Sequence, residues 1–127
     1  MPDNDYETLR KQIEFIPRYF DRQGKPMELL DWSRKCEDPE YKIVKQEKVG
    51  KYFVSTVWVG LNMSMWRDCK IQIFETMIFL NEGSAEDRRN DPICDLMHRY
   101  ATEEEALIGH QRAVSVANGS ILLDGEE

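Results

Sequence analysis

Residues 51–60 read KYFVSTVWVG, and residues 71–80 read IQIFETMIFL. Both segments are rich in β-branched and aromatic side chains, which favour β-strands because they pack well on a pleated surface. Residues 41–48 partly alternate apolar and polar side chains, and Val49-Gly50 fits a turn between them and the second segment. The simplest interpretation is an antiparallel meander of three strands over residues 41–80.

Pairing these strands about their connections predicts a register. A turn at 49–50 places Ile43 opposite Thr56. A loop centred within residues 61–70 places Thr56 opposite Glu75 and Trp58 opposite Ile73. In this register both faces are too apolar to face water. One face carries Tyr41, Ile43, Val54, Thr56, Trp58, Ile73, Glu75, Met77 and Phe79, and the other carries Val44, Phe53, Val57, Val59, Phe74, Ile78 and Leu80. We expect helices on one face and the remaining helix, a loop or a second copy of the chain on the other.

Helical patterns flank the predicted sheet. Residues 5–16 carry an apolar stripe that Pro17 ends, and residues 26–36 fit a short helix. Thr102 fits an N-cap with Glu105 at the capping-box position, and the helix that follows is expected to stop at Asn118-Gly119. The apolar stripe of the first helix is Tyr6, Leu9, Ile13 and Ile16, and the inward stripe of the last is Ala106, Leu107, His110, Ala113, Val114 and Ala117.

The remaining segments complete the predicted architecture. The charged residues 81–94 are expected to form a mobile loop, and residues 96–100 an extended segment. The prediction is an α+β fold, an antiparallel β-meander of three to five strands with two or three helices packed on it. We expect a single domain over residues 1–127. It would contain an N-terminal helix (1–17), a central antiparallel sheet (41–80), a C-terminal helix (102–117) and a loose tail (118–127).

Composition excludes several classes of protein. The three cysteines, Cys36, Cys69 and Cys94, form no CxxC or Cys/His cluster, which argues against a zinc site and a disulfide scaffold and fits reduced thiols in a cytosol. The acidic start of the chain is unlike a signal peptide, and the longest apolar stretches are too short to cross a bilayer. We therefore expect neither export nor membrane insertion, and no metal or other cofactor.

The chain is acidic, with 24 Asp and Glu against 17 Lys and Arg and a net charge of −7. Negative potential repels phosphate backbones, so direct nucleic-acid binding is not expected. Solubility alone explains an acidic surface, but the same charge also fits a partner with a basic surface.

Three parts of the sequence are distinctive: YFDRQGKP at 19–26 with Trp32, VSTVWVGL at 54–61 followed by IFETMIF at 73–79, and RYATEEEA at 99–106 with Gly109 and His110. Together they resemble a family of small, uncharacterised proteins encoded by bacteriophages and prophages. The resemblance covers roughly residues 18–115. Relatives in this family carry a glycine-rich loop between the central strands, where this chain reads NMSMWRDCK at 62–70. The family has no assigned activity, so the resemblance implies a setting, the host cytoplasm, and no mechanism.

The loop at 61–70 is the first candidate site. Met63, Met65, Trp66 and Arg67 place apolar bulk and a cation where polar turn residues would be expected. Tryptophan is enriched among binding hot spots, and flexible methionine adapts to partner surfaces. The alternative is that the loop folds back and Trp66 covers one end of the core.

A polar group within the predicted sheet is the second candidate site. Thr56 and Glu75 share a face in the predicted register, beside Trp58, and His110 is expected to face them from the last helix. A carboxylate among apolar side chains is costly unless it is paired, and a histidine partner would shift the pKa of both groups as acid–base catalysis requires. The alternatives are a satisfied structural pair and a Glu75 that faces solvent.

Two further patterns lack the residues that a binding site would need. Cys94 and His98 stand four residues apart, but no third metal ligand accompanies them. Arg88-Arg89 lies between acidic residues and fits a solvated loop.

The leading hypothesis is a non-enzymatic phage or prophage accessory protein that binds a host protein, for instance as an inhibitor of host defence. It would use the Trp66 loop and an acidic surface. One alternative is a small enzyme or ligand-binding domain with a Glu/His pocket. Another is a virion or assembly component, which would self-associate and could form a homodimer.

Overall fold

The sheet has four antiparallel strands, each of which lies beside the next one in the sequence. The structure is a computed structural model that describes residues 18–62 and 71–119. The strands are β1 (Ile43–Val49), β2 (Tyr52–Trp58), β3 (Phe74–Leu80) and β4 (Met97–Tyr100). The helices are α1 (Leu29–Cys36), α2 (Pro39–Lys42), α3 (Ala85–Asn90) and α4 (Glu103–Ala117). The predicted α+β fold with an antiparallel meander is confirmed.

The β1–β2 hairpin turns at Gly50-Lys51, since Val49 pairs with Tyr52. Gly50 adopts a φ of 60°, which a hairpin turn with glycine at its first central position requires. The register shifts between Ile43 and Lys45, so Ile43 pairs with Val57 and Lys45 with Thr56. The predicted pairing of Ile43 with Thr56 is wrong, because the turn lies one residue later and β1 has a bulge between Ile43 and Lys45.

The β2–β3 register also differs from the predicted one. Thr56 pairs with Thr76, Val57 with Glu75 and Trp58 with Phe74. The backbone N–H groups of Val59 and Gly60 both donate to the carbonyl of Ile73, at 2.8 and 3.1 Å. Two residues after β2 therefore face one residue before β3, which shifts the pairing of the two strands by one residue. A shift of one residue reverses every side chain of β3. Glu75, Met77 and Phe79 therefore lie on the opposite face from Thr56.

Helix α4 covers the face of the sheet that carries Thr56, which we call the inner face. Trp58, Val54 and Phe74 are fully buried there. One hydrophobic cluster is built on Trp58 and Phe74 with Phe20, and the other on Val54, Tyr52 and Ile78. The Trp58 indole donates to the carbonyl of Phe20 at 2.9 Å, which fixes the segment before α1 against the end of the sheet.

The opposite side of the sheet, the outer face, is also apolar. Phe79 is 37% exposed and Met97 is 50% exposed, and each pairs across the sheet with another apolar outer-face residue, Phe53 and Met77 respectively. The apolar side chains of this face are Ile43, Phe53, Val57, Met77, Phe79 and Met97. None of them belongs to the two hydrophobic clusters of the described residues.

Four local predictions have clear outcomes. The extended segment at 96–100 is confirmed as β4, and Thr102 caps α4 by accepting a hydrogen bond from the backbone N–H of Glu105. The predicted loop at 81–94 is wrong in part, because Ser84 and Asp87 form a capping box that starts α3. Leu107, predicted to face inward, is 44% exposed, whereas Gly109 is buried.

Some predictions fall on residues outside the described ranges. The N-terminal helix (1–17), most of the loop at 61–70 and the tail from residue 120 lie there. Of the helices in the part of the chain that the structure describes, none is both long and apolar enough to cross a membrane.

Candidate functional site

A chain of hydrogen bonds crosses the inner face beneath α4. His110 Nε2 lies 2.9 Å from Glu47 Oε2, and His110 Nδ1 lies 2.7 Å from Thr56 Oγ1. Thr56 Oγ1 in turn lies 2.5 Å from Thr76 Oγ1. His110 and Thr56 are completely buried, and Glu47 is partly exposed at the β1 edge. The sheet thus holds a polar network inside an otherwise apolar layer.

The partners fix the direction of these hydrogen bonds. The carboxylate of Glu47 only accepts, so His110 Nε2 carries a hydrogen and donates it. In a singly protonated ring, Nδ1 then accepts from the Thr56 hydroxyl, and Thr56 Oγ1 accepts from the Thr76 hydroxyl. Every buried side-chain polar atom of the described residues has a partner, so the network is satisfied.

Tyr100 extends this network to the far edge of the sheet. Burial raises the pKa of the Tyr100 phenol, while its hydrogen bond with Thr76 and the charge of Arg112 oppose that rise. Its ring packs directly on α4, since a Cβ added at Gly109 would lie 2.1 Å from two Tyr100 atoms. Gly109 is therefore the residue that allows Tyr100 to sit between β4 and α4.

Tyr100 and Arg112 lie at a groove between β4 and α4. The groove has a volume of about 180 Å³ and opens to solvent. Its apolar lining includes Ile78, Leu96 and Val116, and its polar lining includes Thr76, His98, Tyr100 and Arg112. No aspartate or glutamate is among the described residues that line it.

The second candidate site is partly correct. Thr56 and His110 do meet, and Trp58 lies in the same layer. Glu75 does not join them, because the register of β3 turns it to the outer face, where Arg99 Nη2 lies 3.1 Å from its carboxylate. The predicted Glu75–His110 pair is wrong, and Glu47 is the carboxylate that His110 contacts. The sequence carries no signal that separates Glu47 from Glu75 as this partner, because the choice depends on the register of β3.

The residues predicted to bind a partner, Met63, Met65, Trp66 and Arg67, lie outside the described residues. The described residues on either side of this segment are held in place. The Asn62 N–H donates to the carbonyl of Arg18 at 2.8 Å, and Ile73 is buried.

Cys94 and His98 do not share a helix, since Cys94 lies in a turn and His98 in β4. The described residues contain no group of three side chains that could hold a metal ion. Arg88, predicted to lie in a solvated loop, is on α3, 3.6 Å from Asp95.

A second polar cluster joins β2 to the segment before β4. The Tyr52 hydroxyl donates to Asp91 at 2.7 Å. Burial, this hydrogen bond and the charge of Asp91 raise the pKa of Tyr52 to about 12. Burial favours a higher pKa for Asp91, but its hydrogen bonds from Tyr52 and two backbone N–H groups, together with Lys51, leave that pKa below its ordinary value.

The buried network can position side chains, and only its partly exposed ends, Glu47 and Tyr100, lie within reach of a substrate. Thr56 and His110, which lie between them, are completely buried. Comparison of the chain with protein-family models, with curated proteins and with solved structures gave no match.

Proposed function

We propose that the chain is a non-enzymatic accessory protein of a bacteriophage or prophage that binds a protein of its host. The outer face is the observation that carries this proposal. It presents neighbouring apolar side chains on paired strands, among them Phe79 and Met97, that belong to neither hydrophobic cluster of the described residues. Contiguous apolar surface on a soluble domain commonly marks a protein-binding site.

The burial of the His110 network, and the hydrogen bonds made within it, support a binding role over an enzymatic one. Acid–base catalysis requires the reacting groups to come within hydrogen-bond reach of a substrate. Thr56 and His110 have no exposed surface, and their hydrogen bonds are already made within the protein. Such a network stabilises one arrangement of a core and fixes the side chains attached to it.

The phage setting rests on the resemblance of residues 18–115 to phage and prophage proteins, and the charge bears on the partner. The net charge of −7 favours fast association with a basic surface. The outer face itself is not acidic, since Glu75 is paired with Arg99 there. We therefore propose an apolar contact at the outer face, with the acidic remainder of the surface guiding encounter with a basic host protein.

The test is affinity capture of host proteins by the purified full chain, with quantitative mass spectrometry. The outer-face variant carries Phe79→Ser and Met97→Ser. The matched control carries Leu107→Ser and Ile108→Ser, which remove two exposed apolar side chains from α4. We expect a host protein that the wild type and the control capture and that the outer-face variant loses.

Direct binding then decides the result. The captured protein, purified and titrated against the three chains, should bind the outer-face variant at least about tenfold more weakly, as the loss of buried apolar contacts requires. Equal binding to all three would contradict the proposed surface. A fourth chain with Trp66→Ala tests the loop at 61–70, and a loss confined to it would assign binding to the loop instead.

A further inference from the structure

The groove between β4 and α4 combines a cation with apolar walls in an acidic protein. Its described lining contains Arg112 and His98 but no carboxylate, although the chain has 24 acidic residues. Arg112 takes part in none of the ion pairs among the described residues. A guanidinium beside an apolar groove with no carboxylate partner is suited to bind an anion that also has an apolar part.

A second donor faces the same space. Burial raises the pKa of the Tyr100 phenol, and the phenol lies near enough to Arg112 and Thr76 for both to oppose that rise. The ring cannot move toward the helix because it contacts the backbone at Gly109. The contact with Gly109 therefore holds Tyr100 in place at the wall of the groove.

The size of the groove limits the ligand. An apolar cavity of about 150 Å³ holds one benzene molecule, and this groove measures about 180 Å³. One ring or a short alkyl chain fits on Ile78, Leu96 and Val116, with one small anionic group at Arg112. A carboxylate matches the planar fork of a guanidinium and accepts two parallel hydrogen bonds from it.

We propose that this groove binds a small monocarboxylate with a single ring or a short alkyl chain. Arg112 would hold the carboxylate, the Tyr100 hydroxyl would assist, and Ile78 and Val116 would contact the apolar part. This site lies where α4 meets the edge strand on the inner side of the sheet, and it shares Met97 of β4 with the outer face. It does not depend on the proposed function.

The test is calorimetric titration of the full chain with phenylacetate, benzoate and hexanoate. Two compounds separate the parts of the proposed ligand: 2-phenylethanol keeps the ring without the charge, and acetate keeps the charge without the ring. We expect at least one of the three larger acids to bind at least about tenfold more tightly than both controls. If no acid binds more tightly than 2-phenylethanol and acetate do, the proposal is overturned.

Variants then assign the contact. Arg112→Gln should weaken binding of the best acid at least about tenfold, and Arg112→Lys should restore part of the loss because it keeps the charge without the fork. Arg34→Gln, which removes an exposed arginine from α1, should bind like the wild type. Amide shifts in NMR spectra should cluster at residues 97–100 and 109–116. An affinity unchanged by Arg112→Gln, or shifts elsewhere, would place the ligand outside the groove and overturn the assignment.

Discussion

Tyr52 and Asp91 form the ionisable pair whose protonation links stability to pH most directly. The hydroxyl of Tyr52, a residue only 9% exposed, donates to a carboxylate that also accepts from the backbone N–H groups of Ile93 and Cys94. The folded protein favours the neutral form of the Tyr52 phenol. Ionisation would remove the hydrogen-bond donor and place a second negative charge beside Asp91. The raised pKa of Tyr52 expresses that preference.

The Tyr52→Phe substitution should remove a stabilising term with a defined pH range. The unfolded phenol ionises near its ordinary pKa of 10.0 and the folded one near about 12, so the contribution is fully present below pH 10 and is lost as pH rises through about 12. At pH 8 the variant should be less stable by about 1–3 kcal/mol. Denaturant unfolding from pH 8 to 12 should show the two proteins converging. A constant difference over that range would contradict the assigned hydrogen bond.

The polar network shows which part of the candidate site the sequence could predict. Thr56 and His110 could be paired because α4 was correctly capped at Thr102, which places His110 on its inward face. The sequence could not show which carboxylate contacts His110, because whether Glu75 or Glu47 lies beside it depends on the strand register. The register of two strands depends on the residues at which their connection begins and ends. No residue of β3 indicates that the carbonyl of Ile73 accepts hydrogen bonds from both Val59 and Gly60.

Helix α4 is the element that relates the sheet to the groove. Its buried residues, Ala106, Gly109 and His110, have in common that they permit close approach or hydrogen bonding to the strands below. At its start, Glu103 accepts two hydrogen bonds from Arg22, at 3.0 and 2.6 Å, which ties the helix to the segment before α1. The helix is therefore fixed along its length by specific small and polar residues as well as by apolar burial.

Gly109→Ala should destabilise the protein although alanine favours helix. The propensity gain is about 0.8–1 kcal/mol, but the new Cβ would stand 2.1 Å from Tyr100 atoms, and overpacking of this kind costs about 1–3 kcal/mol or more. We therefore expect a net loss of stability, measured by thermal and urea unfolding. The exposed Gln111→Ala on the same helix is the control and should change stability by no more than about 0.5 kcal/mol.

A double-mutant cycle identifies the cause. In a background with Tyr100→Ala, the space beside residue 109 is open, so adding Gly109→Ala should cost nothing further. If Gly109→Ala is as costly there as in the wild type, contact with the ring is not the reason for glycine. If it stabilises the wild type, Tyr100 does not pack on α4 as described.

Elements that depend on local sequence patterns were predicted correctly more often than features that depend on the connections between strands. Strand β4 and the capped start of α4 follow from residues within each segment. Helix α3 was missed because its charged sequence has no apolar stripe, although Ser84 and Asp87 form a capping box. A short helix with no buried residue depends on its cap and on surface contacts, which an apolar pattern does not record.

The whole molecule has a two-sided sheet whose faces are equally apolar in sequence and differently covered in the structure. On the inner face α4 buries Val54 and Ile78, whereas on the outer face Phe79 remains 37% exposed. Ile78 and Phe79 are neighbours on β3 and point to opposite sides. They therefore offer a direct comparison of the two faces within one strand.

Ile78→Ser should cost about 2–5 kcal/mol of unfolding free energy, because it empties a core position and buries a hydroxyl. Phe79→Ser should cost about 1 kcal/mol or less, and it should reduce the fluorescence of a dye that binds apolar surface.

If Phe79→Ser is as costly as Ile78→Ser, the outer face is covered in the native protein, by residues outside the described ranges or by a second copy. Sedimentation at two protein concentrations separates these cases, since only a second copy makes the mass depend on concentration. Either result would remove the surface on which the proposed host contact depends, whereas a monomer with a cheaply substituted Phe79 would leave that surface available to a partner.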